Sequence, residues 1–484
     1  MLRKRKRVLP LTTCSKRALD FYKQGLLAEA EADRSEAMAC FQKAVESDPG
    51  FVMARAQYAS YLPPSEGQAV LDRAKECFEQ VTEGERLFAL AVDVVVRNDT
   101  VKQREILEEL SVEYPDDAMV HHRLATAYFL AQDYERSIAT CERAIASDHL
   151  FYGAYNLLGY ACLNTGNVDG AVRWLTEYAR LLPESANPWD SLGDAYRHAG
   201  DYCKAWGCYE RAVEIKPDFV TALVHLGDVK HHLGYFEEAI SYYQKALRAL
   251  LPEKEISETS YYEGDSLHRL RVVDSYLWMG KLDQAEQELG VVLARNSVLE
   301  RILGHYYGAE IALARGNIAQ ARQKVALVRK LEKENNLNEQ EQDQIGQFLQ
   351  AKIALAEGDL LAAKRFAMCA VYALGKEGRA NLLGLIDPMR NHRGVCVLPL
   401  NLLAEIYREL RQAEAEIQTI EKSLELVPDQ SKLHFRLGEL YVLKKQRGKA
   451  VKEFETYLKF AEDFRCAQEN VQYARAFLAQ SVSQ

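Results

Sequence analysis

The chain has 484 residues, 48% hydrophobic and 27% charged, a folded composition that excludes a largely disordered chain and, at this length, calls for several cores or one elongated core. Only 12 prolines and 27 glycines argue for long helices joined by short turns. The 61 basic and 70 acidic residues leave a net charge of −9, which excludes a generally basic nucleic-acid binder. The 10 cysteines are scattered from Cys14 to Cys466 with no C-x-x-C pair, so zinc-ribbon and thioredoxin-type sites fail. Free thiols inside helical patterns point to a reducing, cytoplasmic compartment. No apolar run is long enough to span a membrane.

In chain order, Arg3-Lys4-Arg5-Lys6-Arg7 has the charged front of a signal peptide, but Val8-Leu9-Pro10-Leu11 is too short an apolar stretch to follow it. Residues 1–17 read as a basic, disordered tail, with anionic-surface or nucleic-acid contact and nuclear import as the other readings. A repeat frame then opens at Ala18, carrying Phe21, Gly25, Ala37, Phe41, Ala44 and Pro49. Residues 52 to 83 hold a degenerate pair interrupted by Pro63-Pro64. Five units in unbroken register start at Gly84, Ala118, Tyr152, Ala186 and Val220. The fourth is the fullest: Trp189, Leu192, Gly193, Tyr196, Ala205, Tyr209, Ala212 and Pro217 stand at positions four, seven, eight, eleven, twenty, twenty-four, twenty-seven and thirty-two of a period of about 34 residues. Small residues at eight, twenty and twenty-seven admit close helix approach, and the bulky ones are the knobs.

The segment 253–265 is polar and breaks register, a joint between two halves of the array. Divergent repeats fill 266–395, marked by Gly280, Gly316 and Gly358 with Ala285, Ala321 and Ala363 five residues later. Within them Lys330 to Gln344 reads as an extended helix end or solvated loop, and Gly375 to Gly394 does not conform. A terminal pair at 396–464 carries Leu400, Leu403, Tyr407, Leu437, Gly438, Tyr441, Ala450 and Phe454, and 465–484 reads as a capping helix and tail. The repeats make roughly eleven helical hairpins.

These frames resemble the tetratricopeptide family, whose fold the resemblance implies: an all-α solenoid, a right-handed superhelix of antiparallel helix pairs. The runs Gly84-Glu85-Arg86-Leu87, Tyr114-Pro115-Asp116-Asp117 and Asn187-Pro188-Trp189-Asp190-Ser191-Leu192-Gly193-Asp194 are similar to repeat arrays attached to bacterial signalling kinases and cyclases. The resemblance implies a docking function and a concave groove lined by positions two, five, nine, twelve and thirteen of each first helix. Carried onto this chain, that wall includes His122, Phe129, Asn156, Tyr160, Asn187, Asp190, Asp194, Arg197, His198, Asp228 and His232, grading from apolar to acidic. An extended or helical protein segment with an apolar anchor and a basic end suits it. The acidic-tail clamp of co-chaperone repeats is not matched, since Asn156, Tyr160, Ser191, Thr221 and His225 stand at its positions.

No Walker A sequence, H-E-x-x-H or G-x-S-x-G motif occurs, so the reading is non-catalytic and without a cofactor. Asp194/His198 and Asp228/His232 are spaced i, i+4, one period apart. Three readings of these pairs stay open: solvated surface pairs, anchors for basic side chains with a pH-sensitive histidine, or a shared metal in a metal-dependent enzyme. Homo-oligomeric assembly through a terminal repeat is the remaining alternative for the whole chain.

Overall fold

A computed structural model describes residues 6–250, 263–294, 297–335, 344–373, 396–428, 430–461 and 468–482. Those residues form 25 α-helices and, among them, no strand. The fold is an all-α, tetratricopeptide-type stack of helical hairpins. By internal contacts it divides into two compact units, the first ending at Tyr196 and the second beginning at Arg197. The division falls within the repeat helix Ala186–His198, and most of the expected joint of 253–265 lies outside the described residues.

The first unit pairs α1 (Lys16–Ala30) with α2 (Arg34–Ser47), α3 (Val52–Ala59) with α4 (Pro64–Lys75), α5 (Glu83–Val96) with α6 (Thr100–Glu113), α7 (Ala118–Leu130) with α8 (Tyr134–Ser147) and α9 (Tyr152–Thr165) with α10 (Val168–Leu181), and it contains most of α11 (Ala186–His198). Its core includes the fully buried Tyr22, Phe41, Phe51, Met53 and Phe88. The second unit continues with α12 (Tyr202–Ile215), α13 (Val220–His232), α14 (Phe236–Leu250), α15 (Glu263–Trp278), α16 (Leu282–Leu293), α17 (Val298–Ala314), α18 (Ile318–Glu334), α19 (Gln344–Ala356) and α20 (Leu360–Ala373). It ends with α21 (Leu398–Glu409), α22 (Ala413–Leu426), α23 (Ser431–Leu443), α24 (Arg447–Ala461) and the unpaired α25 (Gln468–Val482). The charged stretch from Lys330 begins as the end of α18, and the segment 375–394 lies outside the described residues.

The hairpins form because two local devices recur. A left-handed residue ends the first helix of eleven pairs, with φ from +56 to +83° at Ala32, Asn98, Gln132, Gly166, Gly200, Gly234, Gly280, Gly316, Gly358, Arg411 and Lys445. In seven of these turns the next residue, Asp33, Asp99, Asp133, Asn167, Asp201, Asn317 or Asp359, caps the second helix by accepting a backbone N–H three residues on. The pair α3/α4 turns differently. There Pro64 opens α4, a position where its missing N–H is not needed, so Pro63-Pro64 is the turn itself and not an interruption.

Packing inside each pair follows the frame. A Cβ on Gly25, Gly159, Gly227 or Gly438 would lie 2.4 to 2.6 Å from Phe41, Leu175, Tyr243 or Phe454, the residue sixteen positions later on the second helix. Ala37, Ala44, Ala171, Ala205, Ala212, Ala239 and Ala246 are fully buried where the helices come closest. The basic run departs from expectation. From Lys6 onward it is no free tail: residues 6–13 lie extended against the first unit, with Leu9 only 5% exposed.

Candidate functional site

The first helices of the repeats carry every predicted site residue, on the side expected to face inward. In the first unit, His122 of α7 sits against Phe151, with ring centroids 5.2 Å apart. Burial first, then the charge of Arg123, pushes its imidazole down to about 4, so it is neutral at pH 7. The adjacent Arg123 donates to Glu29 of α1 at 2.8 Å and to the Gln57 side chain at 2.7 Å. Burial alone would raise the Glu29 carboxyl, but the Arg123 charge and hydrogen bond outweigh it and hold it below the usual range. Tyr22 donates from its hydroxyl to the Met119 sulfur at 3.3 Å. The Tyr178 hydroxyl of α10 bonds the Ala30 carbonyl at the end of α1. The first and fifth hairpins are thus tied directly to one another.

Phe129 is half-buried, edge-on to Tyr134 at 5.4 Å, and beside it Leu130 is 69% exposed. Asn156 of α9 holds its side-chain carbonyl oxygen buried with no hydrogen-bond partner. One turn on, Tyr160 donates to Asp194 Oδ2 at 2.9 Å and approaches Ser191 Oγ at 3.4 Å. Burial and then the charge of Asp194 push its hydroxyl far above the usual tyrosine range. Asn187 donates to the Tyr178 hydroxyl at 3.0 Å, and Asp190 and Asp194 are buried at 2% and 1% exposure.

In the second unit, Asp228 is 2% exposed and accepts from the Tyr243 hydroxyl at 2.8 Å and from Arg271 Nε at 2.8 Å. Arg197 is buried and His198 half-buried. His232 packs on Tyr202 at 4.7 Å between centroids, and burial, followed by the charges of His231, Lys432 and Arg197, lowers it to about 3. Neighbouring His231 instead faces Ser275 Oγ at 2.9 Å and Asp274 Oδ2 at 3.1 Å.

This geometry bears on two of the three open readings of the Asp/His pairs. Asp194 and Asp228 are not solvated surface carboxylates; the Tyr160 hydroxyl, two elements away, and the Tyr243 hydroxyl, one element away, bind them inside the stack. Nor does the second pair assemble toward a metal, since Asp228 is held by Tyr243 and Arg271, and among the described residues no three His, Cys, Asp or Glu side chains group as metal ligands would. Sequence reasoning missed Glu29, Gln57 and Arg123, the polar tie among α1, α3 and α7. Its signal was available only as Arg123 beside His122, a charged residue on a face otherwise small or apolar. Among the described residues no helix is long and apolar enough to cross a membrane.

Family models agree with the repeat frame. One described as TPR repeat matches residues 193–234, and two described as tetratricopeptide repeat match 122–186 and, at three places, 21–51, 220–249 and 399–430. Over 219 residues the chain is 26% identical to tetratricopeptide repeat protein 37 of Xenopus laevis, covering 45% of this chain and 12% of that one. Over 219 residues it is 25% identical to a UDP-N-acetylglucosamine–peptide N-acetylglucosaminyltransferase of Giardia intestinalis, covering 45% of this chain and 14% of that one. It is 28% identical over 140 residues to superkiller complex protein 3 of Homo sapiens, covering 29% of this chain and 8% of that one. The chain thus spans a small fraction of the length of each curated relative it matches. Hairpin geometry, glycine-to-knob packing and matched models at five places converge: the chain belongs to the tetratricopeptide-repeat proteins.

Proposed function

We propose that this chain is a non-catalytic docking scaffold of the cytoplasm, which holds a segment of a partner protein against the inner face of α7 and α9 during complex assembly or signalling. Tetratricopeptide arrays are interaction scaffolds, because stacked hairpins present one long continuous face. The observation that carries the reading is Asn156. Its Oδ1 is buried and unpaired, a state that costs about 1–3 kcal/mol unless a donor arrives. Phe129 and the 69% exposed Leu130 supply an apolar contact on the neighbouring helix. A partner segment with a free N–H beside an apolar side chain satisfies both. The name of superkiller complex protein 3 places that relative in a multiprotein complex, which fits the same use.

The test is affinity capture with quantitative mass spectrometry on the native chain and on the Asn156→Ala/Phe129→Ala double variant. The reading expects at least tenfold depletion of a specific co-purifying protein with an unchanged helical circular-dichroism signal. Equal recovery of the same partners removes α7 and α9 as the docking face.

A further inference from the structure

From Lys6 onward the basic run is seated on the first unit through its own set of polar contacts. Residues 6–13 run extended along one edge, where each hairpin hands over to the next, and in the reverse direction to the repeats. Lys6 Nζ donates to the Ser147 carbonyl at 3.0 Å, Arg7 N to Asp116 Oδ2 at 2.9 Å, and Leu9 N to Asp117 Oδ2 at 2.9 Å. The Asp116 N–H returns a bond to the Arg7 carbonyl at 3.2 Å. Thr12 donates its N–H to Glu85 Oε1 at 2.6 Å and its hydroxyl to Oε2 at 2.7 Å, and the Thr13 hydroxyl donates to Asp48. Eight extended residues reach about 26 Å, which matches four successive hairpins spaced about 8–10 Å apart.

Two features make this edge a built receptor and not a chance contact. Asp117 and Glu85 each bind their own helix and the segment at once, Asp117 with one oxygen for each and Glu85 with Oε2 shared between Thr82 and the Thr12 hydroxyl. Asp117 caps α7 with Oδ1, which accepts Val120 N at 2.9 Å, and keeps Oδ2 for Leu9. Glu85 closes the capping box of α5 with Oε2, accepting Thr82 N at 3.0 Å, and turns Oε1 to Thr12. Separately, Leu9 occupies a seat that exists only because residue 84 is glycine: a Cβ there would lie 2.6 Å from Leu9 Cδ1 and 2.5 Å from the Tyr114 ring. Recognition through main-chain N–H groups is tolerant of sequence, while Glu85 and Asp48 select hydroxyl side chains, the Ser147 carbonyl takes the Lys6 ammonium and the Gly84 seat demands an apolar residue.

We infer that this edge is a second docking track, for an extended partner segment with a basic residue three positions before an apolar one, as Lys6 stands to Leu9, and hydroxyl residues further on, and that residues 6–13 fill it in cis. A partner segment binds there by displacing the chain's own, which competes at the millimolar effective concentration of a short tether. The inference goes beyond the inner-face reading, and either stands if the other fails.

The test uses the full chain with a protease site inserted between Cys14 and Ser15, cut after purification, and a fluorescent synthetic peptide of residues 6–14. Fluorescence anisotropy is expected to show saturable binding to the cut chain, at least tenfold weaker binding to the uncut chain, and at least tenfold weaker binding to cut chain carrying Gly84→Ala or Asp117→Asn. A scrambled peptide that binds equally, equal binding to cut and uncut chain, or refusal of the cut chain to exchange its segment would each overturn it. Hydrogen exchange on the uncut chain decides the matter without a nick. The amides of Arg7, Leu9 and Thr12 should exchange at least a hundredfold faster than those in the middle of α5 and α7, and equal protection means the segment leaves only when the unit unfolds.

Discussion

At the scale of single residues the repeat frame makes opposite demands on glycines that look alike in the sequence. Gly159 and Gly227 face bulky partners, and a Cβ on either would sit 2.4 Å from Leu175 or Tyr243. Gly207, in the middle of α12, has nothing within 4 Å of the same position. Gly159→Ala and Gly227→Ala should therefore each destabilise by about 1–3 kcal/mol through overpacking. Gly207→Ala should instead stabilise by about 0.5–1 kcal/mol, because a helical glycine gives up more backbone freedom than alanine. Urea titrations followed by circular dichroism check all three, and a destabilising Gly207→Ala would contradict the open space around it. The position-eight glycines were legible beforehand, since small and bulky residues alternate at fixed spacing. The turn residues were legible only where the left-handed site holds glycine, as at Gly280, Gly316 and Gly358. At Ala32, Gln132, Arg411 and Lys445 the same backbone is imposed by the two helices it joins, and no residue type announces it.

Helix pairs were readable because each buries its stripe on its immediate neighbour, and nearest-neighbour contacts leave a period in the sequence. The ties between distant hairpins leave none. Arg123 reaches Glu29 from 94 residues away, and Tyr178 reaches Ala30 from 148, distances set by the small rotation accumulated over several hairpins. Hence His122, Asn187 and Asp194, expected in an open groove, lie instead against Phe151, Tyr178 and Tyr160 of the chain's own elements. The tie is testable as an element. Arg123 and Glu29 keep 22% and 27% of their side-chain surface, so the pair is partly screened and its loss should be moderate. Arg123→Met is expected to destabilise by about 1–3 kcal/mol, mostly by leaving the Glu29 carboxylate and Gln57 without their donor. The Arg123→Met/Glu29→Gln double variant should recover part of that loss. A double-mutant cycle in urea reads the coupling, and a coupling of zero would mean that α1 is held against α7 by apolar packing alone.

Over the whole molecule, buried histidines, His122 of α7, His232 of α13 and His268 of α15, make both units sensitive to acid in the same direction. Burial holds His122 at about 4 in the first unit and, in the second, His232 at about 3 and His268 at about 4, against an ordinary value of 6.5. A group depressed in this way is neutral in the fold, so its contribution is complete above pH 6.5, where the unfolded chain is neutral too. Below that the unfolded chain takes up protons that the folded one refuses, and stability falls as pH drops from 6.5 toward 4. Glu29 acts the same way at lower pH, while Asp117, raised chiefly by burial, opposes them by binding its proton more readily in the fold. Each of the three histidines should cost about 1–2 kcal/mol between pH 7 and pH 5. Thermal melts followed by circular dichroism at the two pH values should show a lower midpoint at pH 5, and His122→Gln should narrow the gap for the first unit while leaving that of the second intact. If the midpoints coincide, water reaches these imidazoles in the folded chain, and they line open grooves after all.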